Sequence, residues 1–321
     1  MLHLAVRDDD GGDFADAVLT GLAQPQKTIP ARFFYDTAGS ELFERITQLP
    51  EYYPTRTEVG ILERYGSDIA AAVGPGRAVI EFGSGSSAKT PLLLRTVAAS
   101  AYVPIDISAE FLDMAAADLA RKLPGLPVFP VAADFTRPLK LPAGVANRPK
   151  LGFFPGSTLG NLAPAAAIDL LRAFADTLGE ASWLVIGLDL RKDAATLEAA
   201  YNDAAGVTAA FNLNLLHRIN RELGGTIDVA SFAHEAPFNA DLGRIEMHLR
   251  AVRDLRFTVL GTAFAIAANE TIHTENSYKW TLDEARLLAR AGGWQPVVAW
   301  SDSAARFTLH LWRRDDGAVE P

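Results

Sequence analysis

Residues 79–90 read Val79-Ile-Glu81-Phe-Gly83-Ser-Gly85-Ser-Ser-Ala-Lys89-Thr90. The apolar run just before the turn, Ala78 to Ile80, has the pattern of a buried strand, and Leu92-Leu93-Leu94 behind it opens a helical pattern. A strand that turns through glycines into a helix presents backbone N–H groups at the positive end of the helix dipole. Gly83 and Gly85 allow the sharp turn and let a ligand approach the main chain. The third glycine of the G-x-G-x-x-G fingerprint is absent, so pyrophosphate is not the ligand that fits best. Glycine turns also join many strands to helices with no ligand at all, and that ordinary reading stands until other residues weigh against it.

From Arg77 to Lys192 strand and helix patterns alternate. Strands are expected at 77–82, 101–105, 128–132, 150–154 and 183–188, and helices at 91–99, 109–122 and 164–178. Short linkers and apolar strands imply a parallel sheet covered on both faces. Ligands bind such sheets beyond the carboxyl ends of the strands. Polar residues cluster at those ends: Gly83, Asp106, Asp134, the turn Gly156-Ser-Thr-Leu-Gly-Asn161, and Asp189. Asp106 lies 25 residues after Glu81, the spacing at which a carboxylate accepts hydrogen bonds from ribose hydroxyls. Asp134 is placed to accept from an adenine amine. Either aspartate alone reads equally well as a helix cap; together with Glu81 and the small-residue turn they suit a nucleoside joined to an amino acid, as in S-adenosylmethionine.

The chain of 321 residues holds one large domain or two ordinary ones. A net charge of −9 argues against a nucleic-acid or anionic-membrane surface. The absence of cysteine removes disulfides, thiolate zinc sites and a cysteine nucleophile. Six histidines are scattered without an H-x-H or H-E-x-x-H pair, so no metal is expected. No basic-then-apolar leader and no 18-residue apolar run occurs, which points to a cytoplasmic protein. A monomer is expected.

Residues 31–56 hold a helical pattern at 40–49 between two aromatic clusters, Phe33-Phe34-Tyr35 and Tyr52-Tyr53. Aromatics in this setting are ordinarily core, yet each tyrosine hydroxyl needs a partner if buried, which also suits a tyrosine-lined pocket. A helix is expected from 57 to 73. Residues 193–277 break the alternation: a long helical tract over 194–224, then period-two runs at 245–250 and 255–260 that read as antiparallel strands. A helix at 281–292 and a strand pair at 295–300 and 306–312 resemble the closing unit of a methyltransferase sheet.

The stretches FFYDTAGSELFERITQLPEYYPTRTE, EFGSGSSAKT, PGSTLGNLAP, AYNDAAGVTAAFNLNLL, RIEMHLRA and HTENSYKW resemble the ergothioneine-pathway L-histidine Nα-methyltransferases, with similarity from about residue 27 to the C-terminus. The resemblance implies an α/β fold: a Rossmann-like class I methyltransferase sheet over 57–192 and 278–321, with an inserted α+β substrate-binding lid formed by 1–56 and 193–277. It implies S-adenosylmethionine as methyl donor and L-histidine as the small-molecule substrate, methylated up to three times on its α-amine. Gly83, Gly85, Lys89, Asp106 and Asp134 are similar to donor-binding positions, with Lys89 pairing the donor's carboxylate. Tyr52, Asn161 and Tyr201 resemble the catalytic group holding the substrate's amine and carboxylate. Glu275 and Ser277 resemble the pair that grips the imidazole, with Tyr35 reaching it through water, and Met247, Thr208 and Phe211 resemble the pocket wall. Asn276 and Tyr278 stand where that pattern has an apolar and a small residue. Without the resemblance, Glu275 and Ser277 read as alternate residues on a wet strand face. Two other functions stay open at this level: N-methylation of another aromatic amino acid such as tryptophan, and an inactive nucleoside-binding regulator.

Overall fold

The computed structural model describes residues 11–84, 89–107 and 109–314. The described residues divide into two compact bodies, one of Pro54–Arg191 and 279–314, the other of 11–53 and Lys192–Tyr278.

The first body is built on a seven-stranded sheet. In spatial order its strands are Trp294–Ser301, Phe307–Arg314, Trp183–Asp189, Lys150–Phe154, Ala78–Phe82, Ala101–Asp106 and Val131–Ala132. The five that come first in the sequence pair in parallel, and the closing hairpin adds two antiparallel strands. This is the parallel α/β sheet with a helix-plus-hairpin closure that the sequence pattern leads one to expect. Ala78–Phe82 and Ala101–Asp106 are buried at every residue, as strands covered on both faces must be. Strand order reverses beside Ala78–Phe82, whose neighbours are the next strand in the chain on one side and Lys150–Phe154 on the other; open α/β sheets bind their ligands beyond the carboxyl edge at such a reversal. The expected strand at 128–132 shrinks to Val131–Ala132 plus a single bridge from Val128 to Tyr102, because Pro130 has no N–H to give the ladder.

Helices flank the sheet at Pro54–Val73, Lys89–Thr96, Ala109–Lys122, Pro164–Leu178 and Leu282–Ala291. On one side Ile61, Leu62, Ile69 and Leu93 pack with Val79, Phe153, Val185 and Leu309. Elsewhere in this body Phe82 stacks on Phe174 with ring centres 3.8 Å apart, and Phe135 and Phe154 close around Phe174. Leu282–Ala291 starts with a capping box in which Thr281 and Glu284 satisfy each other's backbone N–H groups.

The second body carries a five-stranded sheet whose main path runs Lys27–Thr28, Thr271–Tyr278, Arg244–Ala251, Phe232–Glu235, with Phe238–Asn239 also paired to Arg244–Ala251. A separate hairpin joins Leu255–Val259 to Thr262–Ile266. Arg244–Ala251 alternates half-buried and buried residues, as period two predicts. The helical tract expected over 194–224 is two helices, Ala194–Ala199 and Val207–Glu222. The break has a local cause: the Asp203 carboxylate accepts from the Val207 and Thr208 N–H groups at 2.8 and 2.7 Å, and Gly206 turns left-handed at φ 70°. Among the described residues no helix is long and apolar enough to cross a membrane, and no group of three or more His, Asp or Glu side chains could hold a metal ion.

Candidate active site

In the first body the candidate residues gather at the carboxyl ends of the parallel strands. Gly83 leaves Ala78–Phe82 at φ 75°, a conformation suited to glycine, and its N–H donates to the Ile105 carbonyl at 2.8 Å. Gly85 lies outside the described residues. Asp106 ends the neighbouring strand and is buried. Asp134 is half-buried, and its Oδ1 accepts from the Thr136 N–H and hydroxyl at 2.9 and 2.6 Å. Asn161 ends the short 3-10 turn Thr158–Asn161, which follows Ser157 in the left-handed region at φ 57°. The Ser157 hydroxyl accepts from the Asp189 N–H at 2.8 Å, which ties this turn to the end of Trp183–Asp189.

Lys89, the first residue of its helix, forms an ion pair of 2.5 Å with Glu58. Glu58 is fully buried and also accepts from the Gly156 N–H, at 2.9 and 3.2 Å to its two oxygens. A Cβ on Gly187 would sit 2.1 Å from Glu58 Oε1, so glycine is what leaves room for the carboxylate. Sequence reading assigns Glu58 no role, although a signal was present: it occupies the same helix stripe as Thr57, Ile61 and Leu62, where a carboxylate is out of place unless paired.

Glu81 faces the sheet interior and accepts hydrogen bonds from Thr90 and Tyr102. Burial pushes its carboxyl up to about 7, against the lowering effect of those bonds and of Lys89. Below pH ~4.5 the carboxyl is neutral in folded and unfolded chains alike. As pH rises toward 7 the unfolded chain ionises first, so stability is lost across that interval, by roughly 3 kcal/mol if the whole shift is realised. Glu81→Gln is therefore expected to flatten the pH dependence of the urea midpoint between pH 5 and 8; parallel profiles for the two proteins would contradict it.

In the second body a chain of aromatic edges joins the tyrosines. Tyr35 meets Phe43 at 5.9 Å and Phe211 at 5.7 Å, Phe43 meets Tyr52 at 6.4 Å, and Tyr52 meets Tyr201 at 6.4 Å. The four rings that the resemblance assigns to the substrate pocket, Tyr35, Tyr52, Tyr201 and Phe211, are buried. Phe43, the link between them, lies within the helical pattern at 40–49, which by itself assigns it no part in a pocket. The Tyr201 hydroxyl lies 2.7 Å from Ser277 Oγ. Burial, then the charge of Glu275, then Tyr201, hold the Tyr35 hydroxyl well above the usual phenol range, so it remains a protonated donor at neutral pH.

Glu275 is only 4% exposed, which corrects the wet-strand reading. In the ladder between Thr271–Tyr278 and Arg244–Ala251, His273 pairs with His248 but Glu275 pairs with Met247, so the register slips by one residue at Thr274. Thr274, Glu275 and Ser277 are all buried. Met247, Glu275 and Ser277 thus lie on one face of the ladder; Thr208 is buried in the first turn of Val207–Glu222. Asn276 and Tyr278 alternate to the other side, opposite Glu246 and Arg244, and the Tyr278 hydroxyl accepts from Arg244 at 2.6 Å. They do not share a face with Glu275 and Ser277.

Residues 14–314 match the protein family described as "Histidine-specific methyltransferase, SAM-dependent". A histidine N-alpha-methyltransferase of Mycolicibacterium smegmatis is 41% identical over 300 residues, covering 92% of each chain. One from Mycobacterium tuberculosis is 39% identical, over 96% of this chain and 95% of that protein. The ergothioneine biosynthesis protein 1 of Neurospora crassa is 30% identical, over 91% of this chain and 34% of its own length. A solved S-adenosylmethionine-dependent methyltransferase from Clostridium acetobutylicum gives a TM-score of 0.49 at 11% identity, covering 85% of this chain and 98% of that one.

Proposed function

The chain belongs to the S-adenosylmethionine-dependent, histidine-specific methyltransferases, and on that premise we infer that it methylates the α-amine of L-histidine successively to the trimethyl betaine hercynine, the first step of ergothioneine synthesis. The observation that carries the choice of substrate is the buried Glu275, aligned with Met247 and on the same strand face as Ser277, which is in hydrogen-bond contact with Tyr201.

The residues of the first body fit the methyl donor by their chemistry. A left-handed glycine at the strand end leaves the main chain open to close approach. Asp106 supplies acceptor oxygens for the two ribose hydroxyls, and Asp134 an acceptor for the adenine amine. Lys89 offers a cation for the donor's carboxylate, its ammonium steadied by Glu58. When bound, S-adenosylmethionine supplies an electrophilic methyl group on a sulfonium. The chain's task is then positioning, an effect that contributes up to roughly 7–11 kcal/mol when reacting atoms are well aligned.

Tyr52, Tyr201 and Asn161 are assigned to the substrate's amine and carboxylate, and Glu275 and Ser277 to its imidazole. Tyr35 donates toward the imidazole end through water; Met247, Thr208 and Phe211 form wall. With its hydroxyl held protonated, Tyr35 serves as a hydrogen-bond donor and not as a base.

Incubating the purified chain with histidine and S-adenosylmethionine should yield mono-, di- and trimethylhistidine by mass spectrometry. Faster turnover of tryptophan would overturn the substrate, and donor binding without turnover of any amino acid would favour a regulator. Asp106→Ala is expected to weaken S-adenosylhomocysteine binding by about 10- to 100-fold, the worth of one or two hydrogen bonds to a charged acceptor, with a smaller change in the KM for histidine. Unchanged affinity in calorimetry would refute the ribose assignment.

A further inference from the structure

Asn212 lies on the inner face of Val207–Glu222 and is completely buried. Its amide is fully engaged. Oδ1 accepts from the Thr274 hydroxyl at 2.8 Å; Nδ2 donates to the His248 carbonyl at 3.1 Å and to His234 Nδ1 at 2.9 Å. The far ring nitrogen, His234 Nε2, donates to the main-chain carbonyl of Tyr201 at 2.7 Å. A carbonyl only accepts, so the ring is the Nε2–H tautomer, and its Nδ1 is free to take the Asn212 proton.

Thr274 is the extra residue of the bulge that turns Glu275 inward. Its hydroxyl lies 3.1 Å from the Met247 carbonyl as well as 2.8 Å from Asn212. The hydroxyl has one proton for these two acceptors, and the shorter contact is to Asn212; Asn212 thus holds the bulge residue and, at the His248 carbonyl, the partner strand beside the register slip. Bulges beside functional sites re-aim a side chain, and this one is bonded by a side chain from outside the ladder, Asn212.

We propose that Asn212 is a positioning residue of the histidine pocket: one buried amide fixes the bulge that aims Glu275 and, through His234, the main chain that carries Tyr201. The proposal rests on Glu275 and Tyr201 as histidine-holding residues and adds the element that sets their geometry. Loss of the link leaves the donor-binding residues of the other body untouched, so it moves one substrate's kinetics and not the other's.

The test compares Thr274→Val, which keeps the shape and branching but removes the hydroxyl, with Thr274→Ser, which restores it, and takes Glu275→Ala as reference. Thr274→Val should raise the KM for histidine by about tenfold or more, with Thr274→Ser within about twofold of the parent and S-adenosylhomocysteine affinity within about twofold throughout. An unchanged KM in folded Thr274→Val overturns the proposal, as does a parallel loss of histidine and S-adenosylhomocysteine binding. If Thr274→Val does not fold, Asn212→Asp, which keeps the volume and the acceptor but removes both donors, is held to the same criteria. If Glu275→Ala also leaves the histidine KM unchanged, the pocket assignment fails; if it alone raises that KM, only the role of Asn212 falls.

Discussion

Replacing Lys279 with methionine is expected to lower the unfolding free energy by about 3–5 kcal/mol. Lys279 Nζ lies 3.0 Å from Asp189 Oδ2, and each side chain is 1% exposed. Asp189 ends its strand beside the turn that carries Asn161: its own N–H is held by Ser157, and its carbonyl accepts from the Trp280 N–H. Removing the cation leaves a carboxylate in a place where water cannot replace the lost partner. At roughly 2–4 °C per kcal/mol for chains of this size, the melting temperature should fall by roughly 6–20 °C. Replacing both residues together, Asp189→Leu with Lys279→Met, should recover most of that loss, since two buried charges cost about as much to desolvate as they return in attraction. Calorimetric scans of the two proteins decide it: a single variant as stable as the parent would mean that the pair contributes nothing.

The second large effect concerns recognition. Glu275→Ala is expected to lower kcat/KM for histidine by about 10- to 150-fold, corresponding to roughly 1.5–3 kcal/mol for a hydrogen bond to an ionised acceptor. S-adenosylhomocysteine affinity should stay within about twofold, because Glu275 belongs to the second body and the donor-binding candidates to the first. The discrimination has a physical source: a buried carboxylate rejects side chains that cannot donate to it, since it would then be left unpaired. Steady-state kinetics with each substrate varied, paired with calorimetry, separates the effects. Equal losses for both ligands would mark Glu275 as structural.

The alternation of apolar strands with amphipathic helices, and acidic residues at successive strand ends, are local patterns, and they make the sheet legible in the sequence. Asp106 and Gly83 stand where that pattern leads. The limits were also local. The helical tract over 194–224 hid a break set by Asp203 and Gly206, since helix propensity does not reveal which carboxylate will cap the next turn. Glu58 was visible as a charge on an apolar stripe, but its partners are 31 and 98 residues away and nothing in the local sequence names them.

What the chain determines by itself, then, is the order of strands and helices, the glycine turn and the residue types at the strand ends, because each follows from periodicity and from the conformational limits of single residues. Tertiary structure alone decides that the strand face shared by Glu275 and Ser277 is buried and not wet. Side chains on a strand alternate strictly, so one extra residue at Thr274 exchanges the two faces. The partner of that residue's hydroxyl is Asn212, 62 positions earlier in the chain, reaching it from a neighbouring helix.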